Sequence, residues 1–539
     1  MEFPKPAPER ARLYHTNGHW RDDTIPALIL RAAAATPSKV AVRDASGAAI
    51  TYSELVAHAA AISGYLAARG IGNGDIVTAC LPNWWQTVAV FLGVQSLGAV
   101  INPVPVTYGR ADLEFVLGKC ESKALFISGK FRNTDFTETV AAMTSLRASD
   151  LPIIRIGDGA KDIGVPLTEV LAHAPVPAAT DVSADDPAAV LFTSGTESRP
   201  KGAVHTHNTI LFGERAMASA MHVTADDTAF MASPISHATG FLHGYAMTLT
   251  IGGTLSLLDV FSGSAAANQM RDHRCAWTMG ATPFLSDIAD ALVSTKSKLP
   301  DLRYFLCGGA PVPEPLVRRA TDIGLRILSI YGSTESPPHT IVHPEDPISN
   351  AWESDGRPLA GIEVMITDED GKALPQGEIG EERSRGPNTF IGYLSEPELT
   401  AKDFDAEGWY RSGDLARLLA DGSVRIVGRL KDIIVRGGQN ISVREVEDYL
   451  VGHPAVRTVA VVAVPHERLG ETGCAVIVTR PGMSLTLPEI AAFLEAKGVA
   501  RFKYPERLEV WPALPMTPSG KIQKFMIRNQ LKKIDGKRT

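Results

Sequence analysis

Apolar positions in the first half of the chain alternate between two periods. Leu55, Ile62 and Leu66 fall on one helical face, and the preceding Thr51-Tyr-Ser-Glu54 has the form of a capping box. Ile76–Leu81 is a short β-rich run, and Trp84 to Leu97 returns to a helical pattern. Leu113, Val116, Leu117 and Cys120 recur at i, i+3, i+4 and i+7, followed by strand-like Ala124–Ile127. Strands separated by helices predict βαβ units and largely parallel sheets, an α/β fold.

A stretch rich in Ala, Pro and Asp from about Pro175 to Pro187 reads as a surface loop, and Ala188–Phe192 is the next apolar run. Near the C-terminus the pattern restarts. Ser442-Val-Arg-Glu445 and Thr486-Leu-Pro-Glu489 both have capping-box spacing, with strand-like Val456–Val464 and Cys474–Thr479 between them. This predicts a large domain over 1–430 and a small α+β domain over 431–539.

Composition narrows the class. Of 539 residues, 45% are hydrophobic and 21% charged, which is ordinary globular usage. A net charge of -7 offers no general basic field for nucleic acid or an anionic membrane. The longest apolar reach, Thr87 to Val106, is interrupted by Gln95, Ser96, Asn102 and two prolines, so no membrane span is expected. MEFPKPAPERARLYH has no apolar signal core, and Cys80, Cys120, Cys275, Cys307 and Cys474 show no metal or redox spacing. A cytoplasmic protein with reduced thiols is the expectation.

Five segments carry chemistry. Thr193-Ser-Gly-Thr-Glu-Ser-Arg-Pro-Lys201-Gly202 follows a strand, and its small residues, hydroxyls and single Lys suit phosphate oxygens. Its spacing differs from a Walker A loop. Tyr331-Gly-Ser-Thr-Glu335 follows the apolar run Ile327–Ile330 and offers a ring for a base, a hydroxyl for a phosphate and a carboxylate for Mg2+. Asp414, in Arg411-Ser-Gly-Asp414, can accept two hydrogen bonds at once, as vicinal ribose hydroxyls require. Gly428-Arg429-Leu-Lys431-Asp432 leads into Val435-Arg-Gly-Gly-Gln-Asn-Ile441, a charged connection where an interdomain hinge belongs. Pro515-Met-Thr-Pro-Ser-Gly-Lys521-Ile places a Lys on a loop that can be delivered into a site. Taken singly, each segment also reads as a turn, a linker or a solvated lysine.

In order and spacing, these segments resemble the adenylate-forming superfamily of acyl- and aryl-CoA synthetases, adenylation domains and luciferases, from Ile50-Thr-Tyr-Ser-Glu-Leu55 to Gly520-Lys521-Ile522. The resemblance implies that a carboxylate attacks the α-phosphate of ATP with Mg2+, and that CoA then displaces AMP. It implies that Thr193, Ser194, Gly195, Thr196 and Lys201 handle the β- and γ-phosphates, with Thr196 and Glu335 toward Mg2+. Gly308, Gly309, Ala310 and Pro311 match the lining of the adenine and acyl pockets. Tyr331 and Gly332 match the adenine site, Thr334 the α-phosphate contact, and Asp414 and Arg429 the ribose pair. Lys521 matches the cation bridging carboxylate and α-phosphate, Lys431 the hinge, and Gly437 and Gly438 the CoA path.

Glu197 departs from the second Thr of many members, and the Ser-Gly-Thr-Glu-Ser form is similar to bacterial ligases for alicyclic and short- or medium-chain acids. Ser233-Pro-Ile-Ser-His237-Ala-Thr-Gly-Phe241 matches the acyl-gate segment, with His237 beside the acyl carboxylate. Ala238 stands where dihydroxybenzoate-activating relatives carry Asn, although Gly18-His-Trp-Arg-Asp22 is similar to that group. Ala238, Thr239, Gly240, Phe241 and Cys307 predict an apolar acyl pocket, to which Gly308 is also assigned, without a cation for a second carboxylate, which disfavours malonate. The expected activity is an acyl-CoA ligase for a small or medium-chain, alicyclic or aromatic acid. An adenylation enzyme serving a carrier protein in trans is the alternative, and a catalytically silent binding protein is the rival from another class. A homodimer is a further candidate assembly.

Overall fold

The computed structural model describes residues 2–143, 150–193, 200–309, 312–436, 439–517 and 520–538. Two large sheets organise the chain. The first runs Arg357–Pro358, Thr340–Ile341, Ile327–Tyr331, Tyr304–Gly308, Trp277–Gly280, Thr228–Met231, Thr254–Leu257, Val40–Asp44 and Ala49–Thr51. Its six strands from Ile327–Tyr331 to Val40–Asp44 are parallel. The second runs Gly392–Tyr393, Lys201–Thr206, Pro187–Thr193, Val100–Pro103, Ile76–Cys80, Ala124–Ser128, Ile153–Ile156 and Val165–Pro166. It is parallel from Pro187–Thr193 onward, with Lys201–Thr206 folded back as a hairpin.

Strands such as Ile76–Cys80 are buried at every position, which is why they read as continuous apolar runs rather than alternating ones. The helices Tyr52–Ala67 and Trp85–Ser96 lie in the main core with Ala79 and Phe126 of the second sheet and Leu255 and Leu257 of the first. The Thr51–Glu54 capping box forms as its spacing predicts. The loop after Pro175 ends one residue early, because Pro187 already begins the strand.

Residues Glu363–Thr367, Gly380–Arg385, Tyr410–Leu418 and Val424–Arg429 form an antiparallel four-stranded sheet. A single 3-10 turn, Leu430–Asp432, separates it from a C-terminal sheet of Gln439–Ser442, Ile433–Arg436, Gly470–Thr479, Val456–His466 and Arg507–Val510. The helices Val443–Val451, Leu487–Ala496 and Lys524–Arg538 accompany it. The Thr486–Glu489 box is complete. In the Ser442–Glu445 motif only the Ser half forms, because the Glu445 carboxylate turns to Lys503 Nζ at 2.6 Å.

The two parts of the chain meet through charge. The Asp355 carboxylate accepts from the Ile426 amide at 2.9 Å and lies 3.6 Å from Arg425 and 3.5 Å from Arg444. Ser442 Oγ donates to the Val427 carbonyl at 2.7 Å.

Candidate active site

Thr193, Gly308 and Tyr331 stand at the carboxyl ends of parallel strands, where ligands of open α/β sheets bind, and Asp414 and Arg429 come from the antiparallel four-stranded sheet. Thr193 ends one strand and Lys201 opens its hairpin partner, directly opposite in register. Gly308 and Tyr331 end neighbouring strands of the first sheet. Ser194, Gly195, Thr196, Glu197, Ala310, Pro311, Gly437 and Gly438 lie outside the described residues, as does the Lys431 side chain. The Lys431 backbone occupies the 3-10 turn between the antiparallel sheet and the C-terminal unit.

Tyr331 is fixed on three sides. Its hydroxyl donates to Asp414 Oδ2 at 2.7 Å and lies 3.3 Å from Glu382 Oε2, and its ring stacks on His339 at 5.3 Å between centroids. Burial and then the two carboxylates push its phenol well above the usual range, so it stays a donor. Asp414 and Arg429 face each other across adjacent strands, with Arg429 Nε donating to Asp414 Oδ1 at 2.7 Å. That carboxylate holds the guanidinium charged and raises its already high pKa.

Glu335 Oε1 accepts from the Tyr393 hydroxyl at 3.0 Å, and the same hydroxyl lies 3.1 Å from Asp403 Oδ2. One hydroxyl proton cannot serve both carboxylates at once. Lys201 Nζ lies 5.1 Å from the centre of the Tyr393 ring. A hard divalent cation such as Mg2+ is commonly held by one or two carboxylates together with substrate phosphates, so this donor set fits it.

Lys521 reaches this site from the far end of the sequence. A Cβ built on Gly309, whose φ is +80, would stand only 2.8 Å from Lys521 Cε. Burial and the Arg429 guanidinium push the Lys521 ammonium below its usual range, while Asp414 and Glu335 pull it back. Its loop is braced locally: the Thr517 amide donates to the Lys521 carbonyl at 2.7 Å, and Thr517 Oγ1 accepts from the Lys521 amide at 3.0 Å. The structure therefore brings Lys521, Gly309, Glu335, Asp414 and Arg429 together.

Of the predicted acyl wall, Phe241 and Cys307 are buried, and His237, Ala238 and Gly308 are half-buried. His237 Nδ1 accepts from the Thr239 amide at 3.3 Å, and burial, with Lys521 nearby, pushes the ring down to about 3. The imidazole is neutral at physiological pH, with its proton on Nε2. Thr239–Met247 forms a π-helix, a wide coil that recurs at functional sites. Phe241 is 0% exposed and packs edge-on to Phe91 at 5.4 Å. Cys307 is likewise buried, 3.8 Å from Thr282 Oγ1, and burial pushes its thiol up to about 12. That makes it an inert apolar side chain rather than a nucleophile. Ala238 is half-buried against the core that holds Phe241 and Phe91.

Sequence reasoning missed Glu382, His339, Asp403 and Tyr393. Only Tyr393 carried a signal, as the aromatic residue ending Ile391-Gly392-Tyr393, which forms the edge strand of the second sheet.

Comparison with known proteins gives the family. The AMP-binding enzyme profile matches residues 29–394, and the AMP-binding enzyme C-terminal domain profile matches residues 445–521. The medium-chain fatty-acid–CoA ligase of Escherichia coli (strain K12) is 42% identical over 526 residues, covering 97% of this chain and 93% of the relative. The feruloyl-CoA synthase of an Amycolatopsis species is 33% identical, covering 93% and 98%. The crystal structure of ATP-bound MatB from Rhodopseudomonas palustris superposes with a TM-score of 0.84 at 29% identity, covering 95% of this chain and all of that one. The chain belongs to the family of AMP-binding enzymes, the adenylate-forming superfamily that its motifs resemble.

Proposed function

We propose that this enzyme is an AMP-forming acid–thiol ligase that activates a medium-chain apolar carboxylate with ATP and transfers the acyl group to CoA. The 42% identity to a medium-chain fatty-acid–CoA ligase across almost the whole chain supports the reaction and the acid class. The observation that carries the mechanism is the seat of Lys521 against Gly309, beside Glu335, Asp414 and Arg429.

In the first half-reaction a carboxylate oxygen attacks the α-phosphorus, the bond to pyrophosphate breaks, and no proton need move. Negative charge gathers on the α-phosphate oxygens. Lys521 lies where a cation stabilises that charge more in the transition state than in the ground state. Its ammonium is costly to hold in a buried setting, and the substrate carboxylate and phosphate supply the anionic neighbours that restore it. Thr334 contacts the α-phosphate, and Thr193 to Thr196 and Lys201 hold the β- and γ-phosphates. Asp414 accepts the ribose hydroxyls, with Arg429 and the Tyr331 hydroxyl fixing its orientation. Glu335, with Thr196, would hold Mg2+, which supplies charge neutralisation on the phosphates when bound. Neutral His237 faces the acyl carboxylate without adding a charge of its own.

In the second half-reaction the CoA sulfur, having lost its proton, attacks the acyl carbon and AMP leaves. A turn of residues 431–539 about Lys431 would withdraw Lys521 and present Gly437 and Gly438 to the thiol. One site then serves two steps in sequence. The test is a panel of acetate, hexanoate, cyclohexanecarboxylate, benzoate, salicylate and malonate with ATP, Mg2+ and CoA, following AMP and thioester mass together. Hexanoyl-CoA as the main product is expected. Adenylate without thioester would point to a carrier-protein acceptor, and malonyl-CoA would overturn the apolar pocket.

A further inference from the structure

Strand Lys201–Thr206 carries a second polar side chain on the face that presents Lys201. Side chains alternate along a strand, so Lys201, Ala203 and His205 point the same way. His205 is 0% exposed. Its Nε2 lies 2.7 Å from the Thr334 carbonyl oxygen and its Nδ1 lies 3.1 Å from Thr209 Oγ1. A carbonyl oxygen only accepts, so Nε2 carries the proton. In the neutral ring Nδ1 then accepts, and the Thr209 hydroxyl, which also lies 3.1 Å from the Thr206 carbonyl, shares its one proton between the two. Thr209 is itself held in the reciprocal cap of helix His207–Ala220. Burial pushes His205 down to about 4, which keeps the ring in this neutral form at physiological pH.

The Thr334 carbonyl belongs to the planar peptide that joins Thr334 to Glu335. Holding that oxygen sets the plane of the peptide, and with it the directions in which the two side chains leave the backbone. A second tie acts on the next peptide. The Glu335 carbonyl accepts from the Phe390 amide at 2.8 Å, and the adjacent Ile391 amide donates to Val204 at 3.0 Å. The turn is thus anchored to one strand at neighbouring residues, once directly through His205 and once through residues 390–391.

We infer that His205 is a positioning residue for adenylation: it holds the Thr334–Glu335 peptide against the strand carrying Lys201, so that the groups for the α-phosphate and for the β- and γ-phosphates keep one spacing. The inference rests on the roles proposed above for Thr334 and Glu335. His205 touches no substrate atom; it acts through the backbone of the turn.

The test compares His205→Leu with His205→Gln, whose amide nitrogen reaches about as far as imidazole Nε2. The two half-reactions are read separately, as ATP–pyrophosphate exchange and as thioester formation from preformed acyl-adenylate. Losing this bond and leaving a buried carbonyl unpaired is expected to lower the exchange kcat of His205→Leu about ten- to a hundredfold. The KM for the acid and the thioester step should hold within about twofold, and His205→Gln should recover to within about fivefold of the parent. A His205→Leu enzyme with the parent melting temperature and unchanged exchange overturns the inference. So does equal loss in both half-reactions without recovery in His205→Gln, the mark of a purely structural side chain. If His205→Leu does not fold, His205→Gln against His205→Asn decides. The shorter amide cannot reach Thr334, so equal exchange in the two overturns the inference. Glu335→Gln run alongside separates the two levels. Undiminished exchange there overturns the role of the turn, and this inference with it. Loss there with none in His205→Leu overturns the inference alone.

Discussion

Replacing Gly309 by Ala probes the seat of Lys521 from the opposite wall. The new Cβ would meet two obstacles of different kinds. The backbone at φ +80 is a left-handed conformation that costs an L side chain about 1–2 kcal/mol wherever the C-terminal unit stands. The second obstacle is Lys521 itself, with Cε at 2.8 Å and Nζ at 3.7 Å from the added carbon. That contact exists only while Lys521 occupies the site, and the flexible end of the lysine relieves it by moving away. Displacing the ammonium forfeits a charge-assisted hydrogen bond of about 1.5–3 kcal/mol, which slows adenylation about ten- to 150-fold. Thioester formation from preformed adenylate, with Lys521 withdrawn, feels only the backbone strain. Pyrophosphate exchange and single-turnover thioester formation measure the two separately. In a Lys521→Ala background the new methyl has nothing to strike, so the two substitutions should be strongly non-additive in exchange. Equal slowing of both half-reactions, or simple additivity in the double variant, would refute the reasoning.

Asp414→Asn removes the charge that Arg429 and Tyr331 share, and with it about 1.5–3 kcal/mol of charged hydrogen bonding. The KM for ATP in the exchange assay should rise at least about tenfold, and an unchanged KM would contradict a ribose contact. Asp355→Asn leaves Arg425 and Arg444 with only the more distant Asp448 carboxylate, 3.9 Å from each, as a shared counter-charge, at about 1–3 kcal/mol. Limited proteolysis at residues 430–432 should accelerate, and an unaltered cutting rate would remove Asp355 as a clamp. His207 is 1% exposed, and burial pushes its imidazole down to about 3. A depressed histidine binds its proton only on unfolding, so stability falls as pH drops below about 6.5. Between pH 7.5 and 5.5 this amounts to about 1.4 kcal/mol. His207→Asn, which keeps an acceptor for the Ile25 amide, should flatten that slope by about one proton in denaturant titrations; an identical slope would refute it.

The order of elements and the polar motifs were legible because their signals are local. The Thr51–Glu54 and Thr486–Glu489 boxes, the apolar strand Ile76–Cys80 and the helix ending at Cys120 each depend on neighbours within a few residues. The resemblance extended this to distant residues, pairing Asp414 with Arg429 and Lys521 with the phosphate site. Glu382, His339 and Asp403 stayed hidden because nothing near them in sequence marks them. Glu382 reads as one charge in Gly380-Glu-Glu-Arg383, yet it is 0% exposed and 3.2 Å from His339. Only the crossing of an antiparallel sheet over the end of strand Ile327–Tyr331 makes that pair. Ser442–Glu445 shows the converse. The local motif is present, but Lys503, 58 residues on, competes for the carboxylate and wins.

The π-helix also bears on how this enzyme can be redesigned. At Gly240 a side chain would run into the Pro234 carbonyl at 2.3 Å, and at Gly244 into the Met231 side chain at 3.2 Å. Gly240 is therefore closed to a side chain by the Pro234 backbone, whereas at Gly244 the Met231 side chain would have to give by a few tenths of an ångström. On the acyl-pocket reading proposed above, Ala238 and Thr239, half-buried at the start of the coil, are where bulk can be added or removed. On that reading, acid preference can drift, in evolution or in directed selection, through a few side chains at one end of the coil. Tyr331, Asp414 and Arg429, set on other strands, need not change with them.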